Sequence, residues 1–249
     1  MKTAALYHPK QSMTARVEGG CVQETWDIAI IGCGPAGLSA AINARLQRRA
    51  RRERPELFLS LFGFDVSPET IQVLRGLGIV TACWWLNDPF QLSRSLRQAP
   101  WYDFYFTNSR GSLADYAAAG VSRVFFLPQA ADPAVHRRAV LPTDEAARYR
   151  SDVCFAGDWR PLREEWIGRL LDEFNVRVWG PWGKKLRADS PIHRVLTDGF
   201  FTPREMVKAF TGAKVVLNLH SWFGKWPYGV NPRLFEAAGG RVLLLFDEV

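Results

Sequence analysis

Three sets of residues in this sequence have types and spacings that could do chemistry. The first is a glycine series, Gly32, Gly34 and Gly37, in the order G-x-G-x-x-G. It follows the apolar run 27–31 and opens a helical pattern, the context in which such glycines hold a pyrophosphate. Gly32 permits the tight turn, Gly34 lets a pyrophosphate approach the backbone, and Gly37 brings helix and strand close. The helix start adds unpaired N–H donors. The plainer reading is a first strand–turn–helix whose glycines serve packing.

The second set gathers at strand ends in the later half. Gly157 closes an apolar run, so the chain can turn close to a ligand, and Arg160 follows. Lys184 and Lys185 share a later strand-end loop, and all three cations suit a phosphate. Asn218 and His220 end another apolar run. Asn231 and Arg233 stand at the mouth of a helix, a position suited to an anion, with Glu236 one turn further. The third set is two carboxylates, Asp65 and Asp88. Both terminate strands in the first half and are candidate general bases. Each has a plainer alternative. Arg160 pairs with Glu164 on its own helix, Lys184 and Lys185 are a solvated pair, Glu236 is a favourable helix-start acid, Asn218 and His220 are satisfied core-edge polars, and Asp88-Pro89 caps a turn.

The elements that must position these groups alternate. Strands are predicted at 27–31, 57–62, 80–86, 102–107 and 123–127, with helices over 38–52, from Pro68 and after Ser112. Ser67 is the N-cap of the second helix, with Pro68 at its first position. Ser112 is read as a cap with Asp115 three residues on. A second series has strands at 152–156, 176–179, 214–219 and 241–246, and helices at 161–174, 202–210 and 232–238. Thr202-Pro203-Arg204-Glu205 has the form of a capping box. Such alternation implies parallel sheets covered on both faces, with ligands outside the carboxyl ends of the strands. The fold class is therefore α/β, with two Rossmann-like parallel-sheet domains facing a cleft. The expected division is a leader at 1–24, a first domain at 25–140, a linker at 141–150 and a second domain at 151–249.

A hydrophobic fraction of 47% argues against disorder across the bulk of the chain. No apolar run reaches the roughly 18 residues of a membrane helix, and no secretory signal is read at the start, so a cytoplasmic protein without a membrane span is expected. None of the four cysteines sits in a C-x-x-C pair, and no histidine stands at metal-ligand spacing from them. No metal site is expected. The net charge of +7 owes much to the arginine run 45–54. No aromatics interleave it, so it reads as a solvated helix face, and no nucleic-acid partner is expected.

Two resemblances attach to these residues. Residues 26–44 resemble the N-terminal FAD-binding segment of thioredoxin reductase-like flavoproteins, which implies FAD as a possible cofactor at Gly32, Gly34 and Gly37. That likeness breaks where a second strand should end in a ribose-binding acid, because residues 51–56 are Arg-Arg-Glu-Arg-Pro-Glu. From about residue 52 to 249 the chain resembles the CgeB-like, spore-maturation-type glycosyltransferases of the GT-B fold. The stretches that carry it are 57–65, 81–89, 102–108, 151–157 and Gly229-Val-Asn231-Pro-Arg233-Leu-Phe-Glu236-Ala-Ala. The resemblance implies a nucleotide-sugar donor held by the second set of residues, with Glu236 on the ribose, and sugar transfer to an unknown acceptor. It implies no cofactor beyond that donor. Such proteins usually continue past the strand at which this chain stops, so the second domain is read as truncated. The alternatives are an FAD- or NAD-dependent oxidoreductase fragment and a non-catalytic binding protein on the same fold. Ten tryptophans are many, and the cluster Trp222, Trp226 and Tyr228 is the best placed to stack on a sugar ring.

Overall fold

The computed structural model describes residues 28–31, 39–222, 225–226 and 228–247. Gly32, Gly34 and Gly37, with Cys21 and Cys33, lie outside the described residues. The chain divides into two compact units, Met1–Pro128 and Gln129–Val249. The division falls after Pro128 rather than within 141–150, because α5 (Thr143–Tyr149) is a helix of the second unit, ion-paired to it through Glu145 and Lys208.

The first unit holds β1 (Ile28–Ile31), α1 (Ser39–Glu53), β2 (Leu57–Leu61), α2 (Pro68–Gly76), β3 (Val80–Trp85), α3 (Leu92–Gln98), β4 (Phe104–Thr107), α4 (Leu113–Ala118) and β5 (Val124–Phe126). All pairings are parallel, in the order β1-β2-β3-β4-β5. Ser67 caps α2 as expected, accepting from the Thr70 N–H at 3.2 Å. Ser112 does not cap α4. Its backbone is already helical and its hydroxyl turns to Ser109.

Strand order explains how this unit buries its residues. Right-handed crossovers between strands laid in sequence all return over the same face. Leu46 and Ala50 of α1, Ile71 and Leu74 of α2 and Tyr116 of α4 share one core with Phe58, Cys83, Trp85 and Tyr105 of the strands. The alternate strand residues Leu57, Leu59, Leu61, Phe104 and Phe106 are only half-buried, and Phe125 is exposed. Coverage on both faces, expected from the alternation, is not found here among the described residues.

The second unit does have two covered faces. It holds β6 (Ser151–Ala156), α6 (Pro161–Gly168), β7 (Val176–Gly180), β8 (Leu196–Asp198), α7 (Pro203–Gly212), β9 (Ala213–Asn218), α8 (Pro232–Gly239) and β10 (Leu243–Phe246). The order is β10-β9-β6-β7-β8, all parallel. One core takes Cys154, Ala156, Val216, Met206 and Phe210, and the other takes Phe155, Leu217, Ile167, Val178 and Trp182. Residues 154, 155 and 156 thus alternate between them, as the strand period demands. The Thr202–Glu205 capping box forms in both directions. Helix α6 ends at Gly168 rather than at 174, and β8 was not foreseen.

Candidate functional site

All strands of the second unit run the same way, so their carboxyl ends share one edge. β6 leads by α6 to β7 and β8 on one side, and β9 leads by α8 to β10 on the other. Neighbours that depart in opposite directions leave a crevice at their carboxyl ends, where open α/β sheets bind ligands. The loop after β6 holds Gly157, Asp158 and Arg160. The stretch after β9 holds His220 and Ser221.

One residue missed in the sequence fastens these two segments. Arg163, in the first turn of α6, has a side chain only 5% exposed. Its Nε donates to the Leu219 carbonyl at 3.1 Å, Nη1 to the Asp158 carbonyl at 3.0 Å and Nη2 to Ser221 Oγ at 3.2 Å. It also ion-pairs with the Asp158 carboxylate. Burial pulls the guanidinium's pKa down, and the Asp158 charge opposes that. The available signal was its spacing of four from Ile167, since both are on the buried face of α6.

Arg160 is the N-cap of α6 and pairs with Asp158 at 3.1 Å, so its charge is partly answered. It does not pair with Glu164, whose carboxylate instead accepts from Trp159 Nε1 and Ser190 Oγ, both at 2.7 Å. Lys184 and Lys185 are exposed in the turn after β7. The Gly157 carbonyl accepts from Trp182 Nε1 at 2.9 Å, which makes Trp182 a core residue. An added Cβ on Gly180 (φ 156°) would fall 2.0 Å from the Gly157 oxygen, so glycine is required where β6 and β7 end.

At the end of β9 the polar groups are buried and meet one another. Asn231, the N-cap of α8, donates from Nδ2 to Asn218 Oδ1 at 2.9 Å. His220 is 1% exposed, and its Nδ1 lies 2.8 Å from Asp247 Oδ1. The same carboxylate accepts the His220 backbone N–H at 3.0 and 3.1 Å. These bonds outweigh the burial that would raise the Asp247 carboxyl, and its pKa is lowered. The Trp222 ring lies 4.7 Å from the His220 ring, and Trp226 stands 6.3 Å beyond it, edge to face.

Two expectations are corrected by their surroundings. Arg233 is folded onto Glu236 of its own helix rather than held out for a ligand anion. Its guanidinium is 19% exposed, pairs with Glu236 at 2.5 Å and lies over the rings of Phe201 and Phe210. Glu236 is in turn half-buried, with His136 Nε2 at 3.9 Å from its other oxygen. In the first unit, Asp88 is 1% exposed and accepts from Ser95 Oγ at 2.8 Å, Thr107 Oγ1 at 2.7 Å and Tyr116 OH at 2.6 Å. A carboxylate so enclosed ties β3, α3, β4 and α4 together and cannot reach an acceptor hydroxyl. Asp65 lies half-buried in the turn after β2, its carbonyl accepting from Asn43 Nδ2 at 2.7 Å.

A hollow of about 710 Å³ lies at the other edge, the amino ends of β6, β9 and β10, among Arg138, Arg150, Ser151, Lys214 and Arg241. It lies at the opposite edge of the sheet from the switch point. Among the described residues no three His, Cys, Asp or Glu side chains group to hold a metal ion. No helix among them is long and apolar enough to cross a membrane.

Comparison with a family of known proteins falls within the same unit. A family described as glycosyl transferase-like matches residues 160–249. The spore protein CgeB of Bacillus subtilis (strain 168) is 26% identical over 171 residues, which is 67% of this chain and 53% of that protein. The chain thus spans about half the length of this curated relative. Among solved structures, one described as "Trehalose-6-phosphate from E. coli bound with UDP-2-fluoro glucose" matches with a TM-score of 0.58, at 12% identity, over 84% of this chain and 62% of that one. The UDP-N-acetylglucosamine 2-epimerase of Rickettsia bellii matches with a TM-score of 0.51, at 13% identity, over 74% and 56%. These likenesses show the fold, two Rossmann-like units of the GT-B class.

Proposed function

We propose that this chain is a glycosyltransferase or a part of one, transferring a sugar from a nucleotide-sugar donor to an acceptor not yet known. The observation that carries the reading is the switch point between β6 and β9. There a glycine turn, two arginines and a buried polar cluster converge at the carboxyl edge of a doubly wound sheet. Arg160, Arg163 and the β9 side of that edge fall in the segment matched by the glycosyl transferase-like family, residues 160–249. The N-terminus of α8, with Asn231 as its cap, supports an anion nearby. Arg160 and the exposed Lys184 and Lys185 are the cations that a diphosphate would draw on, while Arg163 holds the loops in place. Glu236 keeps its proposed role on the ribose through the oxygen not held by Arg233.

For the acceptor, Asp65 remains the proposed base, and Asp88 is withdrawn. A cytoplasmic setting belongs to the same reading, since the buried thiol of Cys154 is free, as suits a reducing compartment.

The test is a thermal-shift and calorimetric screen of the purified chain against UDP, GDP and their sugar esters, with FAD and NAD beside them. Stabilisation by a nucleoside diphosphate or its sugar ester is expected. Glu236→Gln keeps a hydrogen-bonding partner beside Arg233 and should bind several-fold more weakly. A shift with FAD alone would overturn the reading.

A further inference from the structure

The cluster at the end of β9 has a polarity that identifies the part of a ligand it takes. Three of its buried side-chain atoms have no hydrogen-bond partner: His220 Nε2, Asn218 Nδ2 and Asn231 Oδ1. Buried polar atoms in native proteins are nearly always paired, so three orphans around one strand end call for an explanation. Asp247 joins them. Its backbone N–H donates to the Asn218 carbonyl at 3.3 Å, and its carboxylate faces His220 Nδ1 at 2.8 Å.

A carboxylate can only accept, so the neutral ring must carry its proton on Nδ1. Nε2 is then a bare lone pair. Asn231 Oδ1 is a second acceptor and Asn218 Nδ2 a donor. Reversing both amides preserves the Asn218–Asn231 bond and still leaves one donor and one acceptor, so the inventory does not depend on how they were oriented. A phosphate oxygen has only lone pairs and would satisfy one of the three atoms. A hydroxyl both donates and accepts. Neighbouring hydroxyls satisfy all three, and the Trp222 and Trp226 rings beside them offer π faces to C–H groups.

We propose that His220, Asn218 and Asn231 receive hydroxyls of the transferred sugar rather than the diphosphate, and that Asp247 is the positioning residue that keeps His220 Nε2 bare to accept one. The inference rests on the nucleotide-sugar reading above and assigns the sugar end of that site.

Asp247→Asn separates this role from a structural one. The His220 backbone N–H needs an acceptor, and the carboxamide has one oxygen to give it. Its NH₂ then faces Nδ1 and drives the ring proton to Nε2, turning an acceptor into a donor at unchanged shape. Nitrogen-15 spectra of the imidazole should show a bare Nε2 in the wild type and a protonated Nε2 in the variant. A wild-type ring protonated on Nε2 overturns the proposal with no ligand needed.

Calorimetry with UDP, UDP-glucose, UDP-galactose and UDP-N-acetylglucosamine reads the consequence. The wild type should bind at least one sugar ester about tenfold tighter than UDP, as one well-made hydrogen bond allows. Asp247→Asn should lose that increment and bind UDP as before. A variant that keeps the increment, or a wild type that binds UDP and gains nothing from any sugar, overturns this inference and leaves the donor site standing. A wild type that binds no nucleotide at all overturns the donor reading itself.

Discussion

Replacing Arg163 by methionine should loosen the switch point at a cost that can be worked from its contacts. The guanidinium makes bonds from Nε, Nη1 and Nη2 to Leu219, Asp158 and Ser221 while its side chain is 5% exposed. The Asp158 side chain is 46% exposed and can return to water, so its loss costs little. The Leu219 carbonyl cannot, and a buried group left unpaired costs about 1–3 kcal/mol, with bonds from a charged donor adding to that. Methionine recovers some packing against Phe155, over whose ring the guanidinium lies. The net loss should be about 3 kcal/mol. With a urea slope of about 2 kcal/mol per molar, the unfolding midpoint should fall by roughly 1.5 M. Arg169→Ala is the control. Its pair with Glu165 is 71% and 52% exposed, so its effect should stay below about 0.5 kcal/mol. A methionine variant that unfolds with the midpoint of this control would refute the argument that Arg163 holds the crevice together.

Asp88 gives a prediction in pH. Burial raises its carboxyl above 3.8, against the lowering effect of the Tyr116, Thr107 and Ser95 hydroxyls. Between 3.8 and the raised value the folded chain keeps a proton that the unfolded chain has released, so stability falls as pH rises through that window. Asp88→Asn cannot titrate and should lose this slope in urea unfolding from about pH 4 to about pH 7; a wild-type-minus-variant difference that is flat in pH would count against the burial argument. Thr202→Ala removes the hydroxyl half of the α7 capping box and should cost about 1 kcal/mol, with no change read as failure of the cap. Cys154 is fully buried, and its thiol is pushed up to about 12 by that burial. Peptide mapping after alkylation of the native protein should find it unmodified, and labelling at the rate of a free thiol would show that the β6 core opens.

The parts of this fold that could be read from the sequence are those whose cause is local. Thr202, Pro203 and Glu205 lie within one turn and specify the start of α7 by themselves. Ser67 and Pro68 do the same for α2. The end of α6 could not be read, because Leu170, Leu171 and Phe174 keep apolar spacing past Gly168 and mimic a longer helix, although the chain there passes through turns. Coverage of the first sheet was misread for a related reason. Alternation of strands and helices is local, but strand order decides which face the helices cover, and order is a property of the whole unit. Arg163 and Arg233 show the same limit in side chains. Arg163 belongs to no motif in the sequence and braces two loops, while Arg233 has the placement of an anion ligand and lies folded against Phe201 and Phe210.

The two buried aspartates sharpen this point. Asp88 and Asp247 both follow strands at the carboxyl edge of a parallel sheet, and by position alone they invite the same interpretation. They differ in where their hydrogen bonds lead. Those of Asp88 come from Ser95, Thr107 and Tyr116, and no charge or bare atom is passed on. Those of Asp247 come from both the backbone and the ring of His220, whose far nitrogen has no partner. Burial still raises the Asp88 carboxyl, yet every bond it accepts ends within the first unit, whereas burial of Asp247 is outweighed by bonds that lead to His220. The second arrangement leaves a buried acceptor unsatisfied, a cost that folding alone does not repay and that a ligand hydroxyl would remove. Position at a strand end thus nominates a residue, and the end point of its hydrogen-bond chain decides whether it serves the fold or the site.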